Sequence, residues 1–242
     1  MPNDVNPYQS PATAPADPPP PELESVDDVL TGGFQSARAW GLLACFGLAM
    51  SLMIAVALLC ILIRQWYFAD FMEQVTLLLW SDWLYVAMNS ARFATAIPFL
   101  TWEYRAYRNL PTLGHSRLDA KFIWVVVCWF VPIMNWFCPY QVMAELYWRS
   151  NPDDEATPAD GPPTTPVKAW WATWLLGVAI SIRDRLFNAP AETPTAELLL
   201  QASYVAYLLA IIVSAALAIY LVRTIDHRQL LRFRQTSPQL LG

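Results

Sequence analysis

Phe130-Val131-Pro132-Ile133-Met134-Asn135-Trp136-Phe137-Cys138-Pro139-Tyr140, FVPIMNWFCPY, lies inside an uncharged run of 23 residues from Phe122 to Ala144. As one straight helix that run would reach about 34 Å, enough to cross a hydrocarbon core of about 30 Å. The prolines argue otherwise. Pro132 disfavours helix at Val131 and removes a backbone donor, whereas Pro139 suits the first turn of a new helix. The stretch then divides into two arms of about ten residues, each about 15 Å long and half the core thickness. Asn135 falls in the turn, where its amide can serve backbone groups freed by the break. The alternatives are a hairpin that leaves on the side it entered and a Pro-kinked span.

Charge distribution discriminates between them. If the stretch crosses, the chain has five spans and each side holds seven Lys and Arg, with Arg92 excluded. If it turns back, there are four spans and the sides hold eleven and three. Membrane proteins concentrate Lys and Arg in their cytoplasmic loops. The turn-back reading therefore predicts four spans and places both termini in the cytoplasm.

The rest of the chain fits a membrane class. It is 56% hydrophobic and only 14% charged, against about 25% charged in a soluble domain. The expected architecture is an all-α, polytopic membrane protein with four transmembrane helices plus a Pro-broken re-entrant or kinked segment, five spans being the alternative. Helices are expected over about 40–63, 83–103, 122–149 (broken), 167–186 and 198–223, forming a membrane domain over 39–228. Asp70 to Ser81 is amphipathic and either lies at the surface or extends the second helix. Between Lys168 and Arg183 only 14 residues are uncharged, about 21 Å of helix, so that segment spans only if its ends snorkel.

Flanking this domain are an arm, 1–38, and a basic tail, 229–242. The arm holds six acids, one base and eight prolines before Glu22, a composition that cannot bury a core and is expected to be disordered. Its acidity argues against nucleic acid as a partner. Its start is acidic rather than basic, so no cleavable leader is expected. The arm is a candidate docking segment for a protein partner, and the oligomeric state is left open.

Three motifs carry a family resemblance: FLTWEYRAYRNL with Leu113-Gly114, then WFVPIMNWFCPYQVMAELYWRS, then KAWWATWLL. In this order they resemble a bacterial membrane family, domain of unknown function 4328, from roughly Trp40 to Arg228. The resemblance implies a multi-pass architecture in a bacterial inner membrane. It implies no activity.

Arg92 is the most unusual residue, because an Arg at mid-membrane costs several kcal/mol on insertion scales. It should face the bundle interior, with Glu145 as the favoured partner and Asn89 as a weaker one. Arg92, Asn135, Glu145 and Arg105 make up a candidate polar membrane site, in which an Arg105–Glu145 fork would pin the hairpin to the second helix. Arg105, Arg108, Arg117 and Lys121 are candidate contacts for anionic lipid head groups. Ala206, Ala210, Ser214 and Ala218 recur every fourth residue and form a candidate helix-packing face.

Trp171 and Trp174 share a helix face and either pack or line a cavity. The four cysteines lie in apolar runs without zinc-ligand spacing, so no metal site or other cofactor is expected. No nucleophile–base pair or phosphate loop is present. The expectation is a non-enzymatic anchoring, scaffolding or sensing module, with a small transporter or channel subunit as the alternative.

Overall fold

The computed structural model describes residues 33–67, 70–115, 118–152, 164–186 and 193–240. Among them the chain is all-α, without strands. The helices are α1 (Arg38–Tyr67), α2 (Phe71–Arg108), α3 (Phe122–Val127), α4 (Cys138–Arg149), α5 (Thr165–Leu186) and α6 (Pro194–Leu240), with 3-10 turns at Pro111–Leu113 and Met134–Trp136.

α1 and α6 pack side by side; α2 lies on α1 and α5 lies on α6. The long helices alternate in direction and form a curved layer in the order α2, α1, α6, α5. A cleft remains between the two outer helices. The helices approach closely where residues are small. A Cβ on Gly41 would lie 2.5 Å from Asp226 Oδ2, and one on Gly47 would collide with the Thr95 hydroxyl. α5 meets α6 at Gly177 and Ala210. Ala210, Ser214 and Ala218 are buried and line the cleft, Ala206 is half-buried, and Ala202 is exposed.

Asp70 explains the start of α2. Its carboxylate accepts the Glu73 backbone N–H at 2.8 Å, an N-cap, so residues 71–81 extend the helix. Arg64 ties the end of α1 to Glu73 at 2.5 Å. The end of the chain also departs from expectation. Residues 229–240 continue α6, and Arg228 and Arg232 reach from it to other segments. The Arg232 guanidinium donates to the carbonyls of Leu113, Arg149 and Asn151, the orphan acceptors at helix and turn ends.

Two helices, Arg38–Tyr67 and Pro194–Gln235, are long and apolar enough to cross a membrane. The helices expected over 83–103 and 167–186 are present but less apolar. α2 carries Asp82 and Arg92, and α5 carries Lys168 and Arg183 near its two ends. Residues 1–32 of the N-terminal arm (1–38) lie outside the described residues. Phe34 stacks on Phe233 with ring centroids 4.4 Å apart, so the segment entering α1 and the last turns of α6 share one end of the bundle.

Candidate functional site

The FVPIMNWFCPY stretch turns back. α3 stops at Val127, a 3-10 turn spans Met134–Trp136, and α4 begins at Cys138 with Pro139 in its first turn. Through the break the chain keeps most of its amides paired. The N–H groups of Trp129, Phe130, Asn135, Trp136 and Phe137 donate to carbonyls three or four residues back. The thiols of Cys128 and Cys138 meet across the break.

The two arms close at their open end on one carboxylate. Glu145 of α4 accepts the Tyr107 hydroxyl of α2 on Oε2 at 2.5 Å and the Asp119 N–H on Oε1 at 2.9 Å. Tyr107 in turn accepts the Ala120 N–H at 3.0 Å. Arg149 lies 2.8 Å from Glu145, off the hydrogen-bonding axis, and 3.4 Å from Asp119. Residues 119 and 120 therefore sit beside residue 145, which a straight helix would place nearly 40 Å away. Burial, and next the hydrogen bond to Glu145, hold the Tyr107 hydroxyl well above the ordinary phenol range. It remains a donor at all ordinary pH values.

Deeper in the bundle the hairpin is plugged by tryptophan. Trp129 makes edge contacts with Phe99, Trp171 and Trp174 at centroid distances of 6.0, 6.2 and 6.1 Å. Trp171 stacks on Trp174 at 4.6 Å and donates its indole N–H to the Trp136 carbonyl at 3.3 Å. The Trp129 indole donates to Glu103 Oε2 at 2.9 Å. Glu103 is fully buried, and its other oxygen has no partner. This carboxyl was not singled out from the sequence. Its helical phase marks it: Phe99, Ala106 and Leu110 lie four before, three after and seven after it, and all are buried. A similar contact joins α2 to α6, where the Trp102 indole donates to Asp226 at 2.8 Å.

Beside the hairpin, the gap between α2 and α5 holds a cavity of about 560 Å³. Trp129, Trp170 and Trp174 line it at the hairpin end, and Arg92, Ser181 and Arg185 line it toward the other. Arg92 donates to the Tyr207 hydroxyl of α6 at 3.2 Å.

The structure does not bring the expected polar group together. Arg92 lies fifteen residues before Tyr107 on α2, about 22 Å along the axis, and Glu145 is bound at Tyr107. Neither Glu145 nor Asn89 is its hydrogen-bond partner. Arg105 does not form the fork with Glu145 either: residues two apart on a helix face apart. Tyr107 faces the hairpin, whereas Arg105 lies over the Trp40 ring of α1 at 5.7 Å. Asn135 sits at the hairpin tip with its side-chain oxygen buried and unpartnered. Arg108 and Lys121 are exposed and Arg105 is half-buried. Arg117 lies outside the described residues. Of the tryptophan pair, Trp174 lines the cavity and Trp171 packs behind it. Among the described residues no three His, Cys, Asp or Glu side chains form a metal-binding group.

These features define an all-α bundle with two helices of membrane-crossing length and apolarity, built around a hairpin plugged into one end. The chain belongs to the family described as Domain of unknown function (DUF4328), whose model matches residues 76–227. The match takes in α2, the hairpin, α5 and most of α6, and begins later than the stretch from Trp40 in which the resemblance is seen. No curated protein and no solved structure matches the chain.

Proposed function

We propose that this chain is a non-enzymatic, four-span module of the bacterial inner membrane that anchors, scaffolds or senses, with both termini in the cytoplasm. The observation that carries this reading is the apolar exterior of the parts whose composition alone leaves them ambiguous. On α2, Phe93 is 80% exposed, and Trp83, Val86 and Ile97 lie open beside it. At the hairpin tip Ile133 is 78% exposed, with Phe130 and Phe137 also open. Exposed apolar area on this scale needs a partner, and a bilayer covers every such face at once. α5 is short, but Lys168 and Arg183 can reach the interfaces by snorkelling. The hairpin then enters and leaves on the cytoplasmic side, where Arg105, Arg108 and Lys121 meet anionic head groups. The clasp of Tyr107, Glu145 and Arg149 fixes its arms to α2.

Membrane-side labelling of single cysteines in a Cys-free background tests the topology. Probes at Ala156 and Gln235 are expected to label from the cytoplasmic side alone. Labelling from opposite sides would overturn the four-span reading. The scaffolding role is tested by crosslinking in cells with and without residues 1–32. Recovery of the same partners by both forms would remove the arm from the proposal.

A transporter or channel subunit is the second reading, favoured by the position of Arg92 on the wall of the cleft. Proteoliposome flux that is unchanged by Arg92→Leu, in a folded variant, would eliminate it.

A further inference from the structure

We infer that the cleft between α2 and α5 binds an anionic amphiphile drawn sideways from the bilayer, its acidic head at Arg92 and Arg185 and its chain against Trp129, Trp170 and Trp174. This rests on the membrane reading above and deepens it by naming the ligand class.

The cleft has the size of a small-molecule site, about 560 Å³. Its cations gather toward one end of the bundle and its tryptophans toward the other. Trp129, Trp170 and Trp174 wall the hairpin end, and Ser181 and the two arginines wall the other. Trp170 and Arg185 are fifteen residues apart on α5, about 22 Å along its axis. An elongated ligand with one polar end matches this division. A bare inorganic anion would leave the apolar walls unfilled, and a cationic ligand would meet two like charges.

The cations are available. Arg92 bonds a neutral hydroxyl, that of Tyr207. Arg185 makes no ion pair among the described residues. Asp184 lines a smaller adjoining chamber with Ser181, Arg185 and Tyr207, and Arg183 holds it at 2.8 Å. A guanidinium near mid-membrane without a counter-charge costs several kcal/mol. An acidic head group at that point offsets the cost with charge-assisted hydrogen bonds.

The entrance faces the lipid. Phe93 and Ala96 of α2 and Ile182 of α5 line the cleft and are exposed on the outer surface. A chain can therefore slide in between the two helices without crossing the bundle. Arg185 lies near the end of α5 remote from the hairpin. The head accordingly points toward the side opposite both termini.

The test uses the full chain purified in an uncharged detergent. Three probes carry bromine near the end of the chain: a long-chain fatty acid, a phosphatidylglycerol and a fatty alcohol. Quenching of tryptophan fluorescence reports the chain at the Trp129–Trp170–Trp174 end. Saturable quenching is expected with an anionic probe, and which anionic probe gives it identifies a free fatty acid or a phospholipid as the source. Arg92→Gln should weaken binding about tenfold, the loss of one charge-assisted hydrogen bond. Arg185→Glu should do at least as much, and it keeps the test decisive if Arg92→Gln fails to fold, because Arg185 is exposed. Ala96→Trp, at the mouth, should abolish quenching while leaving the helical circular dichroism unchanged.

Three results would overturn the inference: equal quenching by the fatty alcohol, wild-type affinity in both arginine variants, or no saturable quenching by any probe. The cysteine labelling described above separates the two levels. Same-side labelling with no binding removes only the amphiphile site, whereas opposite-side labelling removes the membrane topology on which it rests.

Discussion

Trp129→Phe tests how the hairpin is held. Among the described residues the Trp129 indole is the one hydrogen-bond donor to Glu103, a fully buried carboxyl whose second oxygen has no partner there. Phenylalanine keeps a ring against Phe99 and Trp174 but removes the N–H. Stranding a buried polar group costs about 1–3 kcal/mol, and weakened aromatic contacts add roughly 1 kcal/mol. Glu103→Leu strands the indole N–H instead and should also destabilise. The double variant removes both partners, and replacing a buried pair by apolar groups is close to neutral. The two changes should therefore fall short of additivity by about 2 kcal/mol, roughly a thirtyfold factor in the folding equilibrium. Reversible unfolding in mixed micelles, driven by an ionic detergent and followed by circular dichroism, measures all four corners of the cycle. Additivity within about 0.5 kcal/mol would refute the claim that this bond joins the hairpin to α2.

Three further outcomes follow from the same geometry. In a chain with Cys45 and Cys60 replaced by alanine, a membrane-permeant oxidant should couple Cys128 to Cys138 within one molecule, read as loss of both free thiols. A straight helix would hold them about 15 Å apart, beyond disulfide reach, so persistence of both thiols favours the kinked span. Gly41→Ala should lower stability by about 1–3 kcal/mol, since its Cβ would meet Asp226 at 2.5 Å and Trp102 at 3.0 Å; an unchanged unfolding midpoint would contradict the close approach of α1 to α2 and α6. Tyr107 keeps its proton in the folded state above pH ~10, where an unfolded tyrosine releases it. Its stabilising contribution is thus intact below that pH and is lost as pH rises further. The stability advantage of the native chain over Tyr107→Phe should shrink above pH ~10, and a constant gap would argue against the Tyr107–Glu145 clasp.

The hairpin was legible because its signals are local. Pro132 and Pro139 act on their own backbone neighbours, and the charge imbalance needs only a count along the chain. The small-residue period at Ala206, Ala210, Ser214 and Ala218 can be read for a similar reason, since period and residue size are written in one helix. The partners of Arg92 and Glu145 were not legible. Each residue is unusual in an apolar setting, and unusual residues invite pairing in a reading of sequence alone. Pairing depends instead on axial level and helical phase. Arg92 sits some four turns from Tyr107, and Arg105 is turned away from it by two residues of rotation, so α2 itself separates the group into a clasp at one end and a cation on the cleft wall.

Glu103 shows the converse failure. It stands between Trp102 and Tyr104 in a segment that reads as the exit from the membrane, so a carboxylate there looks solvated. Only its phase with Phe99, Ala106 and Leu110 reveals that it points inward, and the outgoing arm of the hairpin supplies Trp129 to meet it. The buried acid on α2 is therefore met by the first arm of the hairpin, seven residues after that arm begins at Phe122. The Trp129–Glu103 cycle thus reports on how this arm docks against α2, whereas coupling of Cys128 to Cys138 reports on whether the chain turns round at Pro132, because only a return brings residues on either side of the break together.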